Sequence, residues 1–195
     1  MLYVGLDVHW SVSAICVLDE NGKEQYTKMI KGTWNIVIQE LSKIKESFKI
    51  CFEASTGYGV IYDKLKKIAA QVTVAHPGQV RLIFKSKRKT DRIDAQKLAK
   101  LLFFNEVPSV YVPSAYTRGW RSLVEHRNNL VTERTRAKNG IRTALKGNGT
   151  VAPKGLWTKA GMAWLQKLEM ATSMGTVRKD DLVDQLMLTN KKIKR

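Results

Sequence analysis

In the first 75 residues, the spacing of apolar residues is first that of β-strands and then that of alternating helices and strands. This order restricts the folds that the chain can adopt. Apolar residues alternate with polar ones or run together, as in β-strands, over residues 2–8, 12–18 and 24–30. Asn21-Gly22 lies between the last two segments and favours a tight hairpin. The pattern then continues as helix, strand, helix and strand over residues 34–44, 49–54, 58–70 and 72–75. This order predicts an α/β domain built on one mixed sheet.

The predicted order of elements is that of an RNase H-like domain, in which helices flank a mixed sheet, although several folds share this order. The later part of the chain shows helical patterns over residues 91–105, 116–146, 156–170 and 180–194. Residues 78–90 are mostly polar and basic, and Asn139-Gly140 interrupts the longest helical pattern with turn-type residues. We therefore expect an α/β domain over residues 1–114 and a helical region over residues 115–195.

Positive charge is the strongest signal in the composition. The chain has 34 Lys and Arg against 17 Asp and Glu, a formal net charge of +17 that a hydrophobic core does not require. Within residues 76–146, four cations recur at intervals of seven, four and four and align along one helix side: Arg127, Arg134, Lys138 and Arg142. Such a stripe favours a nucleic acid as partner, because it would neutralise phosphates irrespective of base sequence. A solvated helix face and contact with acidic lipid are the alternatives.

Asp7 stands in the middle of an apolar strand segment, VGLDV, where an ionised carboxylate needs a partner. Glu53 has a similar position near the end of ICFEA. If the two strands are neighbours, as in the RNase H-like order, both carboxylates converge on one point and one divalent cation neutralises both. The alternative is that each acid pairs with a separate lysine or hydroxyl, or points to solvent.

Two further acids, Asp91 and Asp94, lie three residues apart in KTDRIDA, on one side of the helix that begins there. Acids at a helix start also cap the helix and balance its dipole, so the spacing alone does not decide their role. Five cations surround the pair and would attract a phosphodiester: Lys85, Lys87, Arg88, Lys89 and Arg92. Four carboxylates around one or two Mg²⁺ or Mn²⁺ ions form a site for phosphodiester chemistry. His9 lies two residues beyond Asp7 and would share its face of the strand if the strand continues that far; we expect a satisfied strand-end histidine, and contact with the site is the alternative.

Three sequence motifs together resemble one protein family. VGLDVH at 4–9, FEASTGYG at 52–59 and KTDRIDA at 89–95 are similar, in order and spacing, to the N-terminal domain of the DEDD transposases of bacterial insertion sequences, a group that includes related DNA invertases. The resemblance implies a domain like that of the RuvC Holliday-junction resolvase, with an acidic tetrad that binds metal. By motif match, the tetrad here is Asp7, Glu53, Asp91 and Asp94.

The resemblance also implies further parts and partners. Family members usually continue through a helical, coiled-coil-like region into a second domain, whose serine attacks DNA and forms a covalent link. No serine in this sequence matches that nucleophile, so we expect the sequence to be the N-terminal part of a longer recombinase. Some members are guided by a structured RNA. The partners expected from the resemblance are therefore DNA, with a guide RNA as a further candidate, and other copies of the chain held through the helical region.

The predicted function is a metal-dependent DNA transposase or site-specific recombinase. Two alternatives stay open: a stand-alone junction resolvase or nuclease that uses the same acids, and a nucleic-acid-binding or assembly module in which the acids are structural. An actin-like kinase is disfavoured, because LDVHWSVS lacks the glycine-rich phosphate turn. Cys16 and Cys51 form no zinc or disulfide pattern, and no apolar stretch approaches the length of a membrane span. We therefore expect a cytoplasmic protein that does not cross a membrane.

Overall fold

The computed structural model describes residues 1–84 and 90–195, which form five strands and seven helices. In chain order these are β1 (Leu2–Asp7), β2 (Val12–Leu18), β3 (Glu24–Lys31), α1 (Trp34–Leu41), β4 (Phe48–Glu53), α2 (Tyr58–Leu65), β5 (Gln71–Ala75), α3 (Pro77–Ile83), α4 (Asp91–Phe103), α5 (Ala115–Gly147), α6 (Lys159–Lys167) and α7 (Ser173–Ile193). The chain divides into two compact units, residues 1–115 and 116–195. Within the described residues, no helix has the length and hydropathy needed to cross a membrane.

A five-stranded sheet organises the first unit, with the strand order β3-β2-β1-β4-β5. The β1–β2 and β2–β3 pairs are antiparallel, whereas the β1–β4 and β4–β5 pairs are parallel. The predicted fold class, an RNase H-like mixed sheet with flanking helices and a helical region after it, is confirmed. In this order β1 is the central strand, so an acid at its end lies at the middle of the sheet edge.

The alternation of side chains assigns each residue of β1 and β4 to one face of the sheet. Even-numbered residues pack with α1 and α2 in the main hydrophobic core: Leu2, Val4, Leu6, Phe48, Ile50 and Phe52. Odd-numbered residues face α4; Cys51, for example, packs in a second cluster with Leu98 of that helix. Asp7 and Glu53 are both odd-numbered, so they belong to the face that α4 covers.

Gly5 allows α4 to lie directly on the central strand. A Cβ atom at this position would be 2.0 Å from the carbonyl oxygen of Ala95 and 2.4 Å from the amide nitrogen of Ala99. Both alanines are fully buried. Small residues on the strand and on the helix thus set the height of α4 above the sheet. They also fix where the first turn of α4 lies relative to the end of β1.

The helix α3 lies in a stretch where the sequence pattern predicts no helix. His76 caps it, because its Nδ1 accepts a hydrogen bond from the backbone amide of Gln79 at 3.4 Å. Pro77 follows in the first turn, a position that needs no amide donor. No element was predicted here because a Pro-Gly pair is typical of turns; the local signals for a helix are the capping side chain and Pro77.

The second unit contains α6, α7 and nearly all of α5. Its core consists of Ala137, Ile141, Leu145, Leu156, Leu165, Val183 and Leu186. The helix α5 runs unbroken through Asn139-Gly140, where the sequence predicts an interruption. A Cβ atom at Gly140 would come within 3.1 Å of the Leu182 side chain, so the glycine gives room to α7 rather than forming a turn.

A buried lysine joins α6 to α7. Lys179 is fully buried, and its Nζ donates to the carbonyl oxygen of Leu165 at 3.0 Å. The same Nζ lies 2.5 Å from Oδ1 of Asp180. A buried cation needs such partners, and a carbonyl in the last turn of a helix has no partner within its own helix. The lysine therefore donates a hydrogen bond to a carbonyl at the end of α6, and Asp180 balances its charge.

Candidate active site

Asp7 ends the central strand, and its side chain is only 19% exposed. Burial raises the pKa of its carboxyl group, and the nearby carboxylates of Asp91 and Asp94 raise it further, whereas His9 lowers it. An ionised carboxylate that is largely buried beside two other acids is unfavourable unless a cation joins it. The electrostatics at this position therefore favour a bound positive charge.

The first turn of α4 carries Asp91 and Asp94 to the same end of β1. Thr90 is the residue that caps this helix, because its Oγ1 accepts a hydrogen bond from the amide of Ile93 at 3.3 Å. The capping role that the sequence left open for the two acids is thus filled by the threonine. The helix dipole still favours acids in this turn, so their position costs the helix nothing.

The imidazole of His9 lies between acids from two different elements. Its Nε2 is 3.4 Å from Oδ2 of Asp7 and 3.8 Å from Oδ1 of Asp91. One ligand atom from each of the three residues lies within 4.8 Å of the other two. The backbone of His9 is held by buried Ser13, whose Oγ accepts from the His9 amide and donates to its carbonyl oxygen, both at 3.3 Å. The sequence pattern favours a strand-end histidine here, with contact to the site as the alternative, and the spacing of two residues from Asp7 is the signal for that contact.

Glu53 reaches the same sheet edge on the neighbouring strand. The parallel pairing of β1 and β4 aligns Leu6 with Phe52. The next step of this register brings Glu53 opposite Asp7, on strands that are about 4.8 Å apart. Among the described residues, Glu53 is not a member of the three-residue group around Asp7. The backbone therefore places it beside the group, on the same face of the sheet.

Asp94 has a lysine partner that the sequence analysis missed. Nζ of Lys97 lies 3.0 Å from Oδ1 of Asp94, and both side chains are about four-fifths buried. The same lysine lies 5.5 Å from the centroid of the Phe84 ring. The spacing of three residues along α4 was the available signal. Lys97 therefore orients Asp94 and offsets part of its charge through one of the two carboxylate oxygens.

The donor set at this edge fits a hard divalent ion. Carboxylate oxygens from Asp7 and Asp91 lie close together, with Glu53 and Asp94 on the same side of the sheet. Oxygen ligands of this kind favour Mg²⁺ or Mn²⁺, and one imidazole is compatible with Mn²⁺. The largely buried anion of Asp7 is the feature that such an ion would stabilise most.

Of the basic residues predicted beside the acids, Arg92 is exposed on the first turn of α4. The other four lie outside the described residues: Lys85, Lys87, Arg88 and Lys89. The structure therefore places one cation of this cluster next to the acids. That cation is exposed to solvent.

The predicted stripe on α5 lies in the second unit, and its members are Arg127, Arg134, Lys138 and Arg142. Two of them contact an aromatic ring that the sequence analysis did not single out: Nζ of Lys138 and Cζ of Arg142 lie 4.9 Å and 5.3 Å from the ring centroid of Trp157. Partial burial lowers the pKa of Lys138, and the neighbouring Arg134 and Arg142 lower it further. The stripe is therefore a set of close like charges that an anion would stabilise.

In comparisons with known proteins, residues 4–148 match the model of one family, the DEDD transposases of IS110 type, which is described as transposase. A Sinorhizobium fredii protein named as a transposase, y4qE, is 28% identical over 85% of this chain and 44% of its own length. The transposase for insertion sequence element IS1533 of Leptospira borgpetersenii is 34% identical over 52% of this chain and 30% of its own. The transposase for insertion sequence element IS1111A of Coxiella burnetii is 26% identical over 78% and 41%.

The chain spans less than half the length of each of these curated relatives. Among solved structures, RuvC of Thermus thermophilus aligns with a TM-score of 0.39 and 12% identity. That alignment covers 54% of this chain and 95% of the RuvC chain.

Proposed function

This chain belongs to the DEDD transposase family, and from that premise we propose that it forms the metal-dependent catalytic part of a DNA transposase or site-specific recombinase. Residues 1–114 would carry the phosphodiester chemistry, and residues 115–195 would bind nucleic acid and mediate assembly. One observation supports this proposal most. Asp7 at the end of β1 and Asp91 at the start of α4, far apart in sequence, have ligand atoms within 4.8 Å of each other.

The proposed ligands of one or two Mg²⁺ or Mn²⁺ ions are Asp7, Glu53, Asp91 and Asp94. When bound, such ions activate the attacking oxygen and stabilise the leaving oxygen of a phosphodiester. The protein's own side chains prepare the site. The burial of Asp7 keeps its carboxylate poorly hydrated, and His9 orients that carboxylate through the 3.4 Å contact of its Nε2. Lys97 holds Asp94 at 3.0 Å, and exposed Arg92 attracts the DNA backbone.

The proposed partners are DNA, a structured guide RNA and further copies of the chain. The net positive charge of +17 supports a polyanion as partner. Self-assembly is supported by the first half of α5, which exposes four large apolar side chains by 53% to 75%: Tyr116, Trp120, Leu123 and Val124. The guide RNA is supported by the family resemblance alone. A protein that acts on DNA in this way would work in the cytoplasm.

The test is a calorimetric titration of the 195-residue chain with Mn²⁺, compared with Asp7→Asn and Asp91→Asn. We expect each substitution to weaken Mn²⁺ binding by at least about tenfold, because each removes a charged ligand. Glu106→Gln is the matched control, since it removes an exposed acid of the same unit and should leave the affinity unchanged. Circular dichroism checks that all variants fold.

Unchanged Mn²⁺ affinity in both aspartate variants would overturn the catalytic proposal and leave a nucleic-acid-binding module. A second assay separates the two enzyme hypotheses. If the chain alone cleaves branched DNA and Asp7→Asn abolishes this cleavage, the protein is a resolvase-like nuclease in its own right. If cleavage and strand transfer need a longer protein that contains this chain, the recombinase assignment holds.

A further inference from the structure

A cavity of about 500 Å³ opens beside Trp157 in the second unit. Its wall combines two cations with apolar and hydroxyl side chains: Arg142, Leu145, Lys146, Thr150, Pro153 and Trp157. This volume lies within the range of small-ligand sites, about 300 to 1,000 Å³. An apolar wall with a large aromatic ring and two neighbouring cations matches the two halves of a nucleotide, a flat base and a phosphate.

Trp157 also restricts the side-chain conformations of two neighbouring cations. Lys138 and Arg142 both lie over its ring, at 4.9 Å and 5.3 Å from the centroid. A cation–π contact of this kind restricts a flexible side chain without neutralising its charge. Because Lys138 and Arg142 lie over one ring, they are like charges held close together. Partial burial lowers the pKa of Lys138, and the charges of Arg134 and Arg142 lower it further. A phosphate at this place would relieve that repulsion.

The same ring borders a second cavity, of about 470 Å³. This cavity has three further cations, Lys159, Lys191 and Lys194, together with the apolar side chains of Met162 and Met187. Basic residues therefore lie on both sides of Trp157. A strand of nucleotides that passes over the ring would have cationic side chains close to its phosphates on both sides of Trp157.

We propose that Trp157 and the two cavities beside it bind unpaired nucleotides of a single-stranded or looped RNA or DNA segment. A base would enter a cavity and pack against the part of the indole ring that lines it, and Arg142 and Lys146, which line the first cavity, would hold its phosphate. Bases within a duplex are stacked on one another and cannot enter a cavity, whereas an unpaired base can. The inference rests on the proposed binding of nucleic acid by the second unit. It adds that this part of the unit binds unpaired nucleotides rather than a duplex.

The test uses fluorescence anisotropy with the whole chain at one fixed salt concentration. Labelled oligothymidylate and oligouridylate are the single-stranded probes, and a blunt-ended DNA duplex with the same number of phosphates and no unpaired bases is the duplex probe. We expect Trp157→Leu to weaken the single-strand complexes by about tenfold, as loss of one stacked base does, and the duplex complex by less than about twofold. Trp157→Phe keeps an aromatic face and should retain most of the affinity.

Tyr111→Leu is the control, because it removes an exposed aromatic side chain that lines neither cavity and should change nothing. A larger loss for oligouridylate than for oligothymidylate assigns the site to RNA, and equal losses assign it to either single strand. Equal losses for duplex and single strand, or no loss, would overturn the inference. Thermal unfolding of Trp157→Phe shows whether an effect comes from damage to the fold.

A double substitution separates this inference from the proposed function on which it rests. If Arg142→Gln with Lys146→Gln leaves every probe bound as before, nucleic-acid binding by this part of the second unit is wrong. If the pair weakens duplex and single strand alike while Trp157→Leu has no selective effect, only the unpaired-nucleotide inference is wrong.

Discussion

The position of Asp7 in this fold is electrostatically unfavourable for an ionised carboxylate. It is largely buried at the end of the central strand, and Asp91 and Asp94 face it from α4. His9 offsets part of that cost at 3.4 Å. Proteins keep such an arrangement where a function uses it, because a neutral residue at the same place would avoid the desolvation penalty.

Asp7→Asn is expected to stabilise the metal-free chain at neutral pH. The pKa of Asp7 is raised above its ordinary value of 3.8, mainly by burial. The folded state therefore holds this proton more tightly than the unfolded state, and wild-type stability falls as the pH rises from 3.8 through the folded-state pKa. The asparagine variant lacks this loss, so its advantage should grow over that pH range and then stay constant.

Thermal unfolding in a chelating buffer, at several pH values, measures this difference. Addition of Mg²⁺ should stabilise the wild type and reduce the advantage of the variant, because the ion stabilises the anion that the variant lacks. A variant less stable than the wild type at neutral pH without metal would show that Asp7 is a structural anion.

The strand pattern predicted that Asp7 and Glu53 converge if their strands are neighbours, and the family resemblance added Asp91 and Asp94 to the same tetrad. Neither predicted the contacts of His9 and Lys97. Those contacts depend on rotamers and on the height of the helix above the sheet, which are set by packing. Glu53 could be placed opposite Asp7 from the parallel register alone.

Among the elements, α4 and β1 form the pair on which the site depends. Their backbones approach closely because Gly5 faces buried Ala95 and Ala99. A larger residue on either side would lift the first turn of α4 away from the end of β1. The geometry of the acids is therefore determined by small residues that carry no functional group.

Gly5→Ala is expected to destabilise the first unit by about 3 kcal/mol, because the added methyl group would overlap the backbone of α4. Gly119→Ala is the control: nothing lies within 4 Å of a Cβ atom there, and alanine is favoured in a helix by about 1 kcal/mol. Urea denaturation, with hydrogen exchange of the β1 amides, measures both changes. A Gly5→Ala variant with wild-type exchange protection in β1 would disprove the close packing of α4.

The strands and most helices could be predicted because their hydrophobic periods are strong. The failures concern glycine and proline, whose roles depend on the surroundings. Pro77-Gly78 begins a helix because His76 caps it, and Gly140 lies inside α5 because Leu182 of α7 packs against it. Sequence pattern alone shows neither neighbour.

For the molecule as a whole, charge distinguishes the two units. Residues 116–195 hold 17 Lys and Arg against six Asp and Glu, whereas residues 1–115 hold 17 against 11. The smaller unit therefore has the larger positive excess, and the acids concentrate in the unit with the candidate metal site. Under the proposed function, the second unit would bind a polyanion and the first unit would act on it.

Replacement of Arg134, Lys138 and Arg142 by alanine should weaken binding to every nucleic acid and flatten its salt dependence. Each lost phosphate contact lowers the slope of log affinity against log salt by about 0.7 to 0.9, so three contacts lower it by about 2 to 3. Binding measured across a series of salt concentrations gives the slope. Alanine at Lys45, Lys66 and Lys67 removes the same charge from the first unit and serves as control. An equal slope change in both variants would indicate an effect of net charge alone.

The most direct measurement is anomalous diffraction from crystals of the chain grown with Mn²⁺. We predict a manganese peak within about 2.5 Å of carboxylate oxygens of both Asp7 and Asp91. Crystals with no such peak at saturating Mn²⁺, and with Asp7 contacting only His9, would contradict the proposal that this sheet edge is a metal-dependent catalytic site.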